Sequence, residues 1–343
     1  MKSDEKISEV THQLTGDLLS DRKLLEKAII SEKQNPQDAV YLSGLLSLYY
    51  FSSDFDNIDQ FLSFLLNDDL GADNLTIALK ALENSGQLDR AAFLATHGIH
   101  AFEESIDKSD LFPPVAGTDY RNFNNRIEEI LYLNDNNENH QLIRPKMNYS
   151  NLYQRFANII LKQDDAKQAE IATKKALEWN PYNVDAWLTG AEASLELCDL
   201  AGFLDKTKKA LSFCYKPNRL AQCYNNFGRY YEKMQLLDVA LACYSYAFSL
   251  QQVDDYRESL DRMMKLLNIA QMPSAKSIIA TLNKYNIPLN TSQSVVRAAY
   301  LLGKIYYERK NYENALKYLS IAYSLADLPE VKALIDEITS YLN

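Results

Sequence analysis

The sequence predicts an all-α protein assembled from antiparallel helix pairs. Three observations carry that expectation: helix-breaking residues are scarce, one stretch shows two consecutive helical faces, and that stretch recurs along the chain. Glycine and proline number 10 and 9 in 343 residues, too few for the turns of a strand-rich chain of this length. In residues 221–250, Tyr224, Phe227, Gly228 and Tyr231 are spaced by three, one and three, which is one face of an α-helix. A polar turn around Gln235 follows, then Ala240, Tyr244 and Ala247. Large residues around one glycine thus face small residues around one ring, which lets two antiparallel helices approach closely.

The same template returns three times. Residues 296–325 give Leu302, Gly303 and Tyr306, then Ala315, Leu319 and Ala322, with Pro329 closing the unit. Residues 150–181 give Tyr153, Phe156, Ala157 and Ile160, then Ala169 and Ala176, and Pro181 stops the helix. Residues 184–217 give Trp187, Ala191 and Ala210, with Phe203 at a position where alanine is expected. A weaker pair spans 260–283. This pattern resembles the tetratricopeptide repeat (TPR), which runs W-x2-L-G-x2-Y, then A-x3-F and P over 34 residues. The match is close in 221–250 and 296–325, fair in the two earlier units and poor around 260–283. The run from Asn218 onward is also similar to bacterial TPR proteins with a proline-flanked divergent unit, here 286–290, before a last good repeat. The resemblance implies a right-handed TPR-type superhelix. The final stretch, 329–342, places Val331, Leu334, Ile335 and Ile338 on one face, as a capping helix requires.

The N-terminal third follows the same grammar more loosely. Residues 20–31, 37–51, 57–66, 74–84 and 88–101 read as short amphipathic helices, with Leu75, Ala78, Leu82, Ala91 and Ala95 in the repeat frame and Gly86 at a turn. Residues 104–149 fall out of frame: they hold Phe112-Pro113-Pro114, Gly117 and the low-complexity run 134–140, with one helical island at 120–133. The expected organisation is a degenerate TPR-like region (1–103), an irregular acidic connector or insertion (104–149), and a TPR domain with its capping helix (150–343).

Charge separates these parts. The net charge is −10, divided as −12 over residues 1–148 and +2 over 149–343. Nucleic acid is not an expected partner, because phosphate binding needs a concentrated basic face. Residues 1–10 are polar with no apolar core behind them, and the longest apolar stretch, 39–51, is too short to cross a bilayer. Cys198, Cys214, Cys223 and Cys243 form no C-x-x-C pair, which suits a reducing compartment. The expectation is a cytoplasmic protein, monomeric or weakly self-associating, and the sequons at Asn74, Asn148 and Asn290 are read as chance.

No catalytic site or cofactor is expected. The chain lacks a phosphate-cradling glycine loop and a Gly-x-Ser-x-Gly elbow. His97 and His100, with Glu103 or Glu104, have metal-ligand spacing on one helix, but adjacent i, i+3 histidines are unspecific and no metal is assigned. The informative surface is the first helix of each pair. With Tyr224, Phe227, Gly228 and Tyr231 committed to packing, Gln222, Asn225, Arg229, Glu232 and Lys233 take the adjoining face. Their counterparts are Asn151, Gln154, Asn158 and Lys162, then Asp185, Glu192 and Glu196, then Arg297, Tyr300, Lys304 and Tyr307. In TPR proteins this face lines the concave groove, so the resemblance implies that these residues touch a protein or peptide ligand. Amides there can pair with the backbone of an extended peptide. The two-carboxylate clamp of chaperone-binding TPR domains is matched only at Asn158, with Gln154, Thr189, Gln222 and Asn226 in place of its other members. The expected function is a scaffold holding a partner's extended segment or helix; a receptor for a short regulatory peptide is the alternative. A third possibility is that the acidic connector folds back toward Arg229, Lys233, Arg297 and Lys304.

Overall fold

The computed structural model describes residues 3–15, 18–34, 71–84, 86–109, 112–113, 115–136, 141–145 and 147–342, together with Leu42, Leu45, Tyr49 and Leu62. Its helices are α1 (Ser3–His12), α2 (Leu18–Gln34), α3 (Gly71–Asn84), α4 (Leu88–Ser109), α5 (Arg126–Asp135), α6 (Tyr149–Leu161), α7 (Ala166–Trp179), α8 (Val184–Glu196), α9 (Leu200–Phe213), α10 (Pro217–Lys233), α11 (Leu237–Leu250), α12 (Asp254–Leu266), α13 (Ala275–Lys284), α14 (Gln293–Glu308), α15 (Tyr312–Leu325) and α16 (Pro329–Leu342). The helices expected at 37–51 and 57–66 lie outside the described residues, apart from the four buried side chains just named. Contacts group the chain into two units. One holds residues 1–122 and 141–179; the other holds 123–140 and 180–343. The breaks in repeat register at 103/104 and 149/150 are a different kind of boundary and do not coincide with these cuts.

Each helix pair is built from the same local parts. The first helix ends in a left-handed residue: Gly86, Asp164, Cys198, Gln235, Asn268 or Lys310, with φ between 54° and 74°. The next amide then reaches back five residues to a carbonyl of the last turn, as in Asp165 to Ile160, Asp199 to Ser194, Leu236 to Tyr231 and Asn311 to Tyr306. This is the Schellman closure, which satisfies carbonyls that the helix end would leave bare. Side-chain caps start many of the helices: Asn148, Asn183, Asp199, Ser274 and Asn311 each accept from a backbone N–H three residues on.

Packing across each pair follows the frame read from the sequence. A Cβ placed on Gly228 would lie 2.5 Å from the Tyr244 ring, and one on Gly303 would lie 2.6 Å from Leu319. Both glycines are therefore sites of helix contact between the two members of a pair. Ala240, Leu241, Tyr244, Leu260 and Met263 form one buried cluster that joins α10/α11 to α12, with Tyr231 against its edge. In the other unit Gly98 does the same work against Leu75, joining α4 to α3.

Residues 104–149 are more ordered than the sequence suggests. Strands β1 (Thr118–Tyr120) and β2 (Gln141–Ile143) pair in parallel, Thr118 opposite Gln141 and Tyr120 opposite Ile143. Asn122 secures them: its N–H donates to the Trp179 carbonyl, its Nδ2 to the Pro145 and Met147 carbonyls, and its Oδ1 accepts from the Tyr149 N–H. Phe112 stacks edge-on against Tyr120, Tyr149 and Trp179 at centroid distances of 5.2–5.4 Å. These bonds are made to α6 and α7, far along the chain, so local pattern does not reveal them. The helical island is α5, and it belongs to the second unit, where it packs on α14.

Candidate functional site

None of the twelve residues expected to meet a ligand enters the core. Asn151, Gln154, Asn158, Gln222, Asn225, Arg229, Tyr300 and Tyr307 are half-buried, and Lys162, Lys233, Arg297 and Lys304 are exposed. Beside them Tyr153, Ala157, Tyr224, Phe227, Gly228, Leu302 and Gly303 are buried. The helical period thus divides each first helix into a packing face and a polar face as expected.

What the sequence did not reveal is that much of this polar face is already paired. In the first unit, Glu83 at the end of α3 is the centre of a three-way clamp from α6. Its Oε2 accepts from Arg155 at 2.7 Å, and its Oε1 accepts from Asn158 and from Lys162, each at 3.0 Å. The Glu83 side chain is only 7% exposed. A carboxylate so enclosed needs these donors, since an unpaired buried charge is costly.

The second unit repeats the arrangement. Asp185 of α8 lies 2.6 Å from Arg219 of α10, and both oxygens of Glu192 accept from Arg229 Nη1 at 2.6 and 2.7 Å. Arg229 also lies over the Phe203 ring, 5.6 Å from its centroid. Gln222 accepts from Arg219 at 3.1 Å. One pair further on, Glu232 accepts from the Tyr244 hydroxyl at 2.6 Å and from both terminal nitrogens of Arg262 in α12. Burial pushes the Glu232 carboxyl up, but the hydrogen bonds from Arg262 and Tyr244 outweigh it and hold it below its ordinary value. Glu232 is therefore a joint between α10, α11 and α12. At the last pair, Tyr307 donates to Glu337 of the capping helix α16 at 2.6 Å, and Tyr341 donates to the same oxygen at 2.9 Å. Lys304 lies 5.8 Å from the Tyr300 ring centroid. The signal for these pairs is present in the sequence: Asp185 and Arg219 are 34 residues apart and Glu192 and Arg229 are 37 apart, the repeat length itself.

The fold-back of the connector takes a different form from the one expected. Within the second unit, Asn125 caps α5 and donates to the Tyr215 hydroxyl at 2.6 Å, Asp135 accepts from the Tyr182 hydroxyl at 2.7 Å, and Glu128 accepts from Asn180 at 2.7 Å. Glu128 accepts further from the Asn124 N–H and from Asn125, both at 2.8 Å. Burial pushes its carboxyl up to about 7, against the pull of these three donors. These bonds run to the start of α8 and the α9–α10 loop, whereas the expected targets were Arg229, Lys233, Arg297 and Lys304.

The histidines weighed as metal ligands are otherwise engaged. His97 Nδ1 lies 2.9 Å from the Phe93 carbonyl, and His100 Nε2 lies 3.3 Å from Glu104. Among the described residues no group of three His, Cys, Asp or Glu side chains could hold a metal ion, and no helix is long and apolar enough to cross a membrane. Several buried polar atoms make no hydrogen bond to the protein, among them both amide atoms of Asn226, which is 1% exposed, Asn225 Oδ1 and the Thr207 and Ser245 hydroxyls.

No protein-family model matches the chain, and no curated protein matches it in sequence. Solved structures similar to it include the Cut9–Hcn1 hetero-tetramer of the APC/C, with a TM-score of 0.40 and 12% identity over 94% of this chain and 52% of that one. The chain thus spans about half the length of that relative. A tetratricopeptide repeat protein from Parabacteroides merdae ATCC 43184 is 14% identical over 98% of both chains, with a TM-score of 0.39. Human IFIT1, solved as a dimer with PPP-AAAA, is 17% identical over 95% of this chain and 73% of its own, with a TM-score of 0.32. The successive antiparallel helix pairs, their shared Schellman closures and the terminal helix α16 make this chain an all-α protein with a helical-repeat fold.

Proposed function

We propose that the chain is a protein-interaction scaffold whose polar first-helix faces hold a segment of a partner. One observation carries the reading: polar or aromatic residues recur along the first helices of each unit, Asn151, Gln154, Asn158 and Lys162 at α6 in one and eight more on α10 and α14 in the other, and none is committed to the core. The ion pairs along this face refine what a partner meets. Arg155, Arg219 and Arg229 already serve internal carboxylates, so they stiffen the array and offer a partner little free charge. Direct contact is assigned to the exposed Lys233, Arg297 and Lys304, with the half-buried amides Asn151, Gln154 and Asn225 beside them. Amides of this kind grip peptide backbone and read little side-chain sequence.

The test is photo-crosslinking from native lysate with the wild type and with a Lys233→Ala/Arg297→Ala/Lys304→Ala variant. These three side chains are exposed, and surface changes of this kind leave stability within roughly 0.5 kcal/mol. Protein partners captured by the wild type and lost from the variant are expected. Identical capture by both would place binding elsewhere.

A further inference from the structure

A recess lies within the first unit. It is a pocket of about 300 Å³ between α4 and α7, with α6 as its floor. Its walls are in register: Thr96, Ile99, His100 and Glu103 of α4 each line it together with the residue 72 positions on in α7, namely Gln168, Ile171, Ala172 and Lys175. The Glu103–Lys175 contact ties the two walls together at that offset. The walls are therefore layered. One end is closed by Glu103, which accepts from both Lys175 and the Tyr153 hydroxyl. The middle is apolar, with Ile99 and Ile171 on the walls and Phe156 and Ile160 on the floor. Gln168 and Asp165 mark the other end, at the first turn of α7.

Two features say what such a recess takes. Ile171 is 50% exposed at its lip, an apolar surface that gains by being covered. The open end is acidic, with Asp164 and Asp165 both exposed, and the unit as a whole carries 17 Lys+Arg against 25 Asp+Glu, a net of −8. A trough lined by stripes at i, i+3, i+4 and i+7 on two walls is also the complement of a helix that presents side chains at the same spacing. We propose that this recess is a docking site, separate from the first-helix faces, for one turn of a basic amphipathic helix from a partner protein. A large aliphatic side chain of that helix enters between Ile99 and Ile171, and a Lys or Arg beside it meets Asp165.

The test uses a fluorescein-labelled, helix-forming peptide with leucines one turn apart and lysines between them, its counterpart with glutamate for lysine, and the full-length protein. Fluorescence anisotropy should show saturable binding of the lysine peptide and at least tenfold weaker binding of the glutamate peptide. Ile171→Ser and Asp165→Asn should each weaken the lysine peptide at least fivefold. Asparagine retains the cap that Asp165 provides to the Gln168 N–H, so the second variant removes charge while keeping the helix start. Lys233→Ala should leave this affinity unchanged, which separates the site from the first-helix faces. Binding that survives both substitutions, equal binding of the two peptides, or no saturable binding would overturn the assignment.

Discussion

The closest approach between paired helices sets a stability prediction at Gly228. An alanine there would place its Cβ 2.5, 2.6 and 2.9 Å from three atoms of the Tyr244 ring, where carbon atoms normally rest about 3.5–4.0 Å apart. Roughly 1 Å of separation must be found. The ring cannot supply it: Tyr244 is fully buried, and its hydroxyl is fastened to Glu232, which Arg262 holds in turn. The strain therefore falls on the packing of α10 against α11. Overpacking of this kind costs about 1–3 kcal/mol, and a rigid ring puts it near the top of that range. Replacing a mid-helix glycine by alanine returns about 1 kcal/mol, which leaves a net loss of about 2 kcal/mol. Urea denaturation followed by far-ultraviolet circular dichroism should show this as a lower midpoint for Gly228→Ala. In a Tyr244→Leu background the same substitution should be neutral or stabilising, a coupling of about 2 kcal/mol. If Gly228→Ala is as stable as the wild type with Tyr244 in place, the packing described is wrong.

Three further outcomes follow. Glu83→Ala leaves Arg155, Asn158 and Lys162 without their shared acceptor; because Lys162 is largely solvated, the cost should be about 1–3 kcal/mol, and a loss below 0.3 kcal/mol in urea melts would show the clamp to be idle. Glu128 has a carboxyl raised from 4.5 to about 7 in the fold, so the stability it contributes is complete below about pH 4.5 and is lost as pH rises through about 7. The stability difference between wild type and Glu128→Gln should therefore shift against the wild type by roughly 3 kcal/mol between pH 4.5 and 8, and a flat difference would refute the raised value. Gln235 occupies a left-handed turn position at φ 60°, so Gln235→Gly should raise stability by about 0.5–1 kcal/mol; a thermal melt showing destabilisation would contradict the turn geometry.

How much of this was legible depended on whether the information was local. The faces of α10 and α11 could be read because Gly228 and Tyr244 follow helical period within thirty residues. The ion pairs are only half legible: Glu192 and Arg229 stand one repeat length apart, but helical period says which side Arg229 faces and not that Glu192 stands opposite. The bond to Glu232 is hidden for the same reason: the pattern places Tyr244 as a ring in the core, and its hydroxyl reaching back to the first helix has no counterpart in hydropathy. The turns between paired helices were hidden differently. Only Gly86 carries the residue that signals a left-handed backbone, while aspartate, cysteine, glutamine, asparagine and lysine fill the equivalent positions. The order within 104–149 rests on Asn122 and Phe112, whose partners lie in α6 and α7.

The position of α5 bears on how the chain assembles. Most contacts of a repeat array are made with the adjacent repeat, so each pair can settle soon after it is synthesised. Helix α5 departs from that order, since it packs on α14, which leaves the ribosome more than 150 residues later. Closing so long a loop carries an entropic cost that grows only slowly with length, yet the time spent waiting is set by synthesis at about 5–20 residues per second. For some ten seconds or more, the side of α5 that packs on α14 has no finished surface to meet, although Glu128 and Asp135 already have Asn180 and Tyr182 as partners. One face of α5 is thus covered only when α14 arrives, and a nascent chain stopped short of it keeps that face exposed to whatever binds unfinished helices.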